Sequence, residues 1–170
     1  DQASKDLADE RGACPDAADY GYNERFSNKT AIAPTASISI ICGGASPGVE
    51  PVAANSYTHK TLSGSFNVRN RYLVELLEKH GKNTDDVWSG ITTNQGSVSH
   101  LDFLTDLEKD VFKTAFELDQ KWIIELSGDR TPYISQAQSI NLFVPADIHK
   151  RELHKIHFDA WKKGLKSLYY

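Results

Sequence analysis

Hydroxyl and small residues cluster between Ala33 and Ile41, in the order Ala-Pro-Thr-Ala-Ser-Ile-Ser-Ile-Ile, directly before Gly43 and Gly44. A stretch of this composition presents backbone N–H groups and hydroxyls to an anion, because no large side chain blocks its approach. If the stretch is extended, its three hydroxyls at alternate positions face the same side. If a helix begins after Pro34, the N–H groups of the first turn form the anion site instead.

Both geometries suit a phosphate, and a third interpretation stays open beside them. A Ser/Thr cluster before an apolar run is also an ordinary helix-capping pattern, or a buried element with satisfied hydroxyls. The Gly/Pro-rich loop of residues 43–51 lacks the lysine of a Walker-type phosphate loop. Three cations nearby in sequence, Lys60, Arg69 and Arg71, could meet a phosphate or could be plain surface charge.

The elements that position this stretch follow from hydrophobic periodicity and turn residues. The pattern predicts helices over residues 1–11, 70–80, 107–127 and 147–166, and a short helix that Thr84 caps. Alternation predicts a strand over residues 55–66 with a turn near Ser63 and Gly64, and a second strand over residues 138–144. The sequence therefore predicts both helices and strands around this stretch.

Composition restricts the function. The 170 residues suit one domain or a large piece of one, and the net charge of −4 argues against a nucleic-acid or membrane-surface binder. No apolar run is long enough to span a membrane. Two cysteines, Cys14 and Cys42, favour a reducing, cytoplasmic compartment. Because the chain contains no methionine, we expect a piece of a longer protein.

Other candidate chemistry is weaker. The six histidines show no HExxH spacing, and the cluster of His149, His154 and His157 lacks an evident carboxylate or thiol partner, so we predict no metal site. Tyr169 and Tyr170 form an adjacent aromatic pair at the end of the sequence. Such a pair could pack against a core edge, or its phenols could pass an electron with loss of a proton.

Five blocks of sequence, in order, resemble the C-terminal part of the large, catalytic subunit of class I ribonucleotide reductase. They are APTASIS (33–39), SPGVEP (46–51), LSGSF (62–66), YISQAQSINL (133–142) and HFDAWKKGLKSLYY (157–170). The resemblance implies a ten-stranded α/β barrel made of two half-barrels. Residues 31–170 would form the second half with its C-terminal helices, and residues 1–30 a polar N-terminal segment.

The resemblance also implies the roles of particular residues. The family's loop for the substrate diphosphate matches Pro34, Thr35, Ala36, Ser37 and Ile38, with Ser39 next. The family's adjacent tyrosines, which carry the radical from the small subunit to the active-site cysteine, match Tyr169 and Tyr170. The implied substrate is a ribonucleoside diphosphate, and the implied partner is a radical-generating small subunit. That subunit, and not this chain, would hold the metal/radical cofactor.

Part of the family pattern has no counterpart in this sequence. No Asn-x-Cys-x-Glu motif, which carries the thiyl radical in the family, occurs here, and neither Cys14 nor Cys42 lies in such a context. We therefore expect the chain to be inactive alone and to need a partner carrying the active-site cysteines, as a fragment or as the product of a split gene. Two rival functions remain: a non-catalytic module that binds a phosphorylated ligand, and a purely structural half-barrel.

Overall fold

Helices dominate the computed structural model, which describes residues 1–43, 46–62 and 64–168. The α-helices of this described part are Gln2–Arg11 (α1), Pro15–Asp19 (α2), Ala36–Ile41 (α3), Arg71–Lys79 (α4), Asp85–Thr93 (α5), Asp106–Val111 (α6), Lys121–Arg130 (α7) and Lys150–Lys162 (α8). None of them is both long and apolar enough to cross a bilayer.

The two helices that follow the hairpin form where capping residues and apolar spacing agree. The Asn70 side chain accepts a hydrogen bond from the Tyr72 N–H at 3.1 Å and starts α4. Thr84 caps α5 in the same way, with two aspartates in the first turn, where the helix dipole favours acids. Both predicted helices are confirmed.

Strands β1 (Ser56–Thr61) and β2 (Gly64–Arg69) form an antiparallel hairpin in which Ser56 pairs with Arg69. The predicted strand is confirmed, since β1 begins at Ser56, and so is the predicted turn, since the chain reverses direction before Gly64. Ser63 lies outside the described residues. β2 runs three residues past the predicted end at Phe66 because its partner strand continues beside it. The other strand pairing in the described residues is an isolated parallel bridge between Ile32 and Gln138.

The long helix predicted over residues 107–127 is wrong. The segment contains α6, a 3₁₀ turn at Ala115–Glu117 and α7. Thr105 forms a capping box with Glu108 and starts α6, and Thr114 forms a second capping box with Glu117 inside the predicted helix, where the chain starts a new turn. The buried side chain of Gln120 then donates to the carbonyls of Ala115 and Leu118 at 2.7 and 2.8 Å, and occupies acceptors that a continuous helix would use.

The strand predicted over residues 138–144 is reduced to the bridge at Gln138. Farther along, the Phe143 N–H donates to the side-chain oxygen of Gln120 at 2.8 Å, so a side chain replaces a strand partner. The last predicted helix, residues 147–166, is confirmed but shorter. His149 caps α8 through its ring nitrogen, and Gly164, with φ 77°, lies just past its end.

The main hydrophobic cluster lies between α4, α5 and the segment that follows them. Its buried members are Leu73, Leu77, Trp88, Ile91, Val98, Leu101 and Leu104. Buried Asn55 joins the hairpin to this cluster, because its amide donates to the carbonyls of Gly96 and Phe112 at 3.0 and 2.7 Å. Gly96, with φ 82°, must lack a side chain, since a Cβ there would approach the Ala54 Cα to 2.6 Å.

A hydrogen bond between His80 and Glu108, beside this cluster, makes the stability of the protein depend on pH. The hydrogen bond from His80, and then those from Thr105, lower the pKa of Glu108 from 4.5 to about 2. Because the pKa is depressed in the folded state, the stabilisation is complete above pH 4.5 and is lost as the pH falls towards 2. We expect Glu108→Gln to melt below the unsubstituted protein at pH 7, with the gap closing between pH 4.5 and 2 in thermal-unfolding curves.

The matched control for this change is Asp102→Asn, which neutralises an exposed acid in the same region. It should melt like the unsubstituted protein throughout. A melting-temperature gap for Glu108→Gln that stays constant down to acid pH would contradict the linkage.

Candidate functional site

The Ser/Thr stretch adopts the helical one of its two predicted geometries. Helix α3 begins at Ala36, directly after Thr35, whose φ and ψ are −120° and 28°. The side chain of Thr35, the N-cap residue, makes no capping hydrogen bond. The N–H groups at the start of α3 have no intrahelical acceptor, as in any helix, so they can donate to an external group.

The predicted binding residues differ in exposure. Pro34, Ala36, Ser37 and Ile38 are exposed, and Thr35 is half-buried. Ser39 is buried, and its hydroxyl donates to the Ala36 carbonyl at 2.8 Å. The Ser37 hydroxyl is therefore on the accessible surface of the stretch, whereas the Ser39 hydroxyl is used within the helix.

Backbone hydrogen bonds hold the stretch from both sides. On one side, Ile32 lies beside residues 137–139: its N–H donates to the Ala137 carbonyl at 3.0 Å, and its carbonyl accepts from the Ser139 N–H at 2.7 Å. On the other side, the Thr35 N–H donates to the Pro47 carbonyl at 3.1 Å. Hydrogen bonds at Ile32 and at Thr35 thereby fix the backbone on both sides of residues 33 and 34.

The three candidate cations separate in the structure. Lys60 is exposed on β1, and Arg69 pairs with Asp85 at 3.0 Å. Arg71 lies at the far end of α3, where a Cβ on Gly43 would be 3.3 Å from its Nη1. Its guanidinium also donates to the Tyr72 hydroxyl at 2.6 Å, a contact that raises the pKa of Arg71. Of the three, Arg71 is the cation that the structure places beside the stretch.

A buried contact next to the stretch was missed by the sequence analysis. The carboxylate of Glu50, 3% exposed, accepts a hydrogen bond from the side-chain amide of Asn141. The two residues are 91 positions apart. Glu50 lies in a Gly/Pro-rich loop and Asn141 in a predicted strand, so no spacing signal connects them.

The cysteines and histidines form no disulfide and no metal site within the part of the chain that the structure describes. Cys14 is half-buried and Cys42 exposed, both as free thiols. No group of three His, Cys, Asp or Glu side chains in the described residues could hold a metal ion. Tyr169 and Tyr170, the predicted radical relay, lie outside the described residues.

Comparison with known proteins decides the family. The family model described as "Ribonucleotide reductase, barrel domain" matches residues 4–170, nearly the whole sequence. The chain belongs to the ribonucleotide reductase family. The predicted resemblance is thus confirmed, and an α/β fold is supported for this member of the family.

Similar ribonucleotide reductases come from viruses and bacteria. The chain is 54% identical, over 94% of its length, to the ribonucleoside-diphosphate reductase large subunit of Invertebrate iridescent virus 6, and covers 17% of that protein. It is 39% identical, over 88% of its length, to subunit alpha of Chlamydia trachomatis, and covers 14% of that protein.

A solved ribonucleotide reductase has the same fold. The Actinobacillus ureae class Id ribonucleotide reductase alpha subunit superposes with a TM-score of 0.80 at 40% identity, over 99% of this chain and 30% of that one. The chain therefore spans less than a third of the length of these ribonucleotide reductases.

Proposed function

We propose that this chain is part of a ribonucleoside-diphosphate reductase, which converts ribonucleoside diphosphates to deoxyribonucleotides by radical chemistry. The observation that carries the proposal is the first turn of α3, which Thr35 does not cap with its side chain and which small residues surround, in a chain of this family. Its contribution would be the substrate phosphate loop and the last steps of radical transfer.

The phosphate loop is proposed at Pro34, Thr35, Ala36, Ser37, Ile38 and Ser39. The N–H groups of the first turn would donate to diphosphate oxygens, and the exposed Ser37 hydroxyl would add a further donor. The small residues allow the phosphate to reach the backbone. Ser39 would act indirectly, because its buried hydroxyl holds the first turn through the Ala36 carbonyl.

The radical relay is proposed at Tyr169 and Tyr170, on the strength of the family resemblance. A tyrosine that loses one electron and its phenolic proton becomes a neutral radical, and an adjacent phenol can then return that electron and proton. The pair would pass the oxidising equivalent from a radical-generating small subunit inward. The metal/radical cofactor is proposed for that small subunit and not for this chain.

Residues 31–170 are proposed as the C-terminal half of a ten-stranded barrel with its following helices, and residues 1–30 as a polar segment before it. The family's description as a barrel domain supports this assignment, and so does the parallel pairing of Ile32 with Gln138. The other half, with the active-site cysteines, would come from the remainder of the catalytic subunit, on the same chain or from a split gene. We also propose a cytoplasmic location, because only two cysteines occur.

The proposal predicts turnover only in the complete assembly. We expect deoxycytidine diphosphate to form from cytidine diphosphate when this chain, the remainder of the catalytic subunit and a small subunit are combined with a dithiol reductant. The chain alone should give none, since it contains no Asn-x-Cys-x-Glu motif. Quantifying the deoxynucleotide chromatographically tests this, and a complete assembly that binds cytidine diphosphate without turnover would favour the binding-module alternative.

A further inference from the structure

The Glu50–Asn141 contact closes a ring of hydrogen bonds around the phosphate loop. Ile32 is held by Ser139, two residues before Asn141, and Thr35 is held by Pro47, three residues before Glu50. The Ser46 hydroxyl donates to the Glu50 carbonyl and fixes the shape of the loop of residues 46–50. Without the Glu50–Asn141 contact, the two anchors of the phosphate loop would no longer be joined through these side chains.

The carboxylate fits its place closely. A Cβ at Gly48 would lie 2.6 Å from both carboxylate oxygens of Glu50, so the Glu50 side chain folds back against Gly48. Since Gly48 does not have a positive φ, a side chain there would conflict with the Glu50 carboxylate and not with the backbone conformation. The loop is therefore built around the carboxylate.

This contact is poorly explained as a contribution to stability. Glu50 Oε2 and Asn141 Oδ1 are buried acceptors without a hydrogen-bond partner in the described residues. Burying such acceptors costs free energy, and a pair of apolar side chains would fill the same space without that cost. The directional hydrogen bond, in contrast, fixes how the two segments sit relative to each other.

We propose that Glu50 is a positioning residue that, through Asn141 and the loop of residues 46–50, sets the first turn of α3 for the substrate diphosphate. This inference rests on the proposed function, because it presumes that α3 receives the diphosphate. Glu50 itself does not touch the substrate. It acts through the Pro47 carbonyl, which orients the Thr35 N–H and with it the start of α3.

Glu50→Ala and Glu50→Gln test the inference in the full-length protein. Glu50→Ala removes the contact with Asn141 and should weaken cytidine diphosphate binding about tenfold, because displaced donors lose their alignment with the phosphates. Glu50→Gln keeps an acceptor for the Asn141 amide and adds a donor that could serve its unpartnered Oδ1, so it should bind within about twofold of the unsubstituted protein. Isothermal titration calorimetry measures both affinities.

Cytidine monophosphate and turnover show whether the effect is one of positioning. The loss on Glu50→Ala should be larger for the diphosphate than for the monophosphate. In the turnover assay, KM should rise while kcat changes by less than about twofold, since reacting groups are not altered. Unchanged diphosphate affinity for Glu50→Ala, or equal losses for Glu50→Ala and Glu50→Gln, would overturn the inference.

Gly48→Ala provides a second variant in case Glu50→Ala does not fold. Its new Cβ would displace the Glu50 carboxylate without changing residue 50 itself. The diphosphate affinity should therefore fall as it does for Glu50→Ala, and a normal affinity would overturn the inference. A bulky residue at Ser37 separates this result from a failure of the proposed function. If that change leaves diphosphate binding intact, the loop is not the substrate site and both proposals fail. If it weakens binding while Glu50→Ala does not, only the positioning role is wrong.

Discussion

Tyr170→Phe is expected to abolish deoxyribonucleotide formation and to leave cytidine diphosphate binding unchanged. Phenylalanine has no O–H group, so it cannot lose the electron and proton that a relay through phenols needs, yet it keeps the aromatic ring and nearly the same volume. The change therefore separates radical transfer from packing. The measurement is turnover of cytidine diphosphate by the complete assembly, alongside its affinity by calorimetry.

The matched control is Tyr20→Phe, which removes the hydroxyl of an exposed tyrosine in the N-terminal part of the chain. It should turn over like the unsubstituted protein. Tyr169→Phe should behave like Tyr170→Phe if the two phenols act in series. Turnover retained by either relay variant would remove that tyrosine from the proposed path and favour its role as a packing residue.

Local sequence predicted the elements whose caps and apolar spacing agree. Helix α4 begins at the Asn70 cap and buries Leu73 and Leu77, and α5 begins at the Thr84 cap. In both cases the residues that decide the element lie within it or directly before it. The strand from residue 55 and the turn near Gly64 were predicted for the same reason, because the alternation and the turn are contiguous in sequence, whereas the pairing of β1 with β2 came from the structure.

The failures come from interactions that a periodic pattern does not contain. Residues 107–127 have helical apolar spacing throughout, but the capping box at Thr114 and the side chain of Gln120 redirect the chain. This capping box follows the T-x-x-E pattern and could have been recognised. The Gln120 amide, in contrast, reaches the carbonyls of Ala115 and Leu118 only because the helix has already ended. The sequence pattern does not show these contacts.

For the candidate site, too, the sequence predicted the local features and missed the contacts between distant residues. The stretch from Pro34 to Ser39 was predicted as a candidate anion site because small and hydroxyl residues leave the backbone open to an anion. Whether it is extended or helical, and that Ser39 turns inward, required the structure. The Glu50–Asn141 contact joins residues 91 positions apart, and many acids and amides elsewhere in the chain would have been equal candidates.

The position of Arg71 bears on how the proposed phosphate loop would bind its ligand. Its guanidinium lies beside Gly43, at the end of α3 away from Thr35. Helix α3 has six residues, about 1.7 turns, and Arg71 lies beyond the last of them, so a phosphate held at the start of α3 would rely on backbone donors and Ser37. Access to that backbone is therefore the property that a substitution should attack.

Ser37→Trp is expected to weaken cytidine diphosphate binding by at least about tenfold. The indole would cover the start of α3 and keep the phosphate from the first-turn N–H groups. One charge-assisted hydrogen bond contributes about 1.5–3 kcal/mol, and the loss of 1.4 kcal/mol is already about tenfold in affinity. Because Ser37 is exposed, the larger side chain extends into solvent and the fold should survive. Calorimetric titration gives the affinity, and thermal unfolding verifies the fold.

Two controls decide whether the effect comes from blocked access. Ser37→Ala removes only the hydroxyl, so it should cost less than Ser37→Trp. Ser27→Trp places the same indole at an exposed serine outside the loop and should bind like the unsubstituted protein. If Ser37→Trp binds cytidine diphosphate normally, backbone approach at α3 is not what holds the diphosphate. If Ser37→Ala loses as much as Ser37→Trp, the hydroxyl and not the backbone is the principal contact, and the loop would act through its side chains.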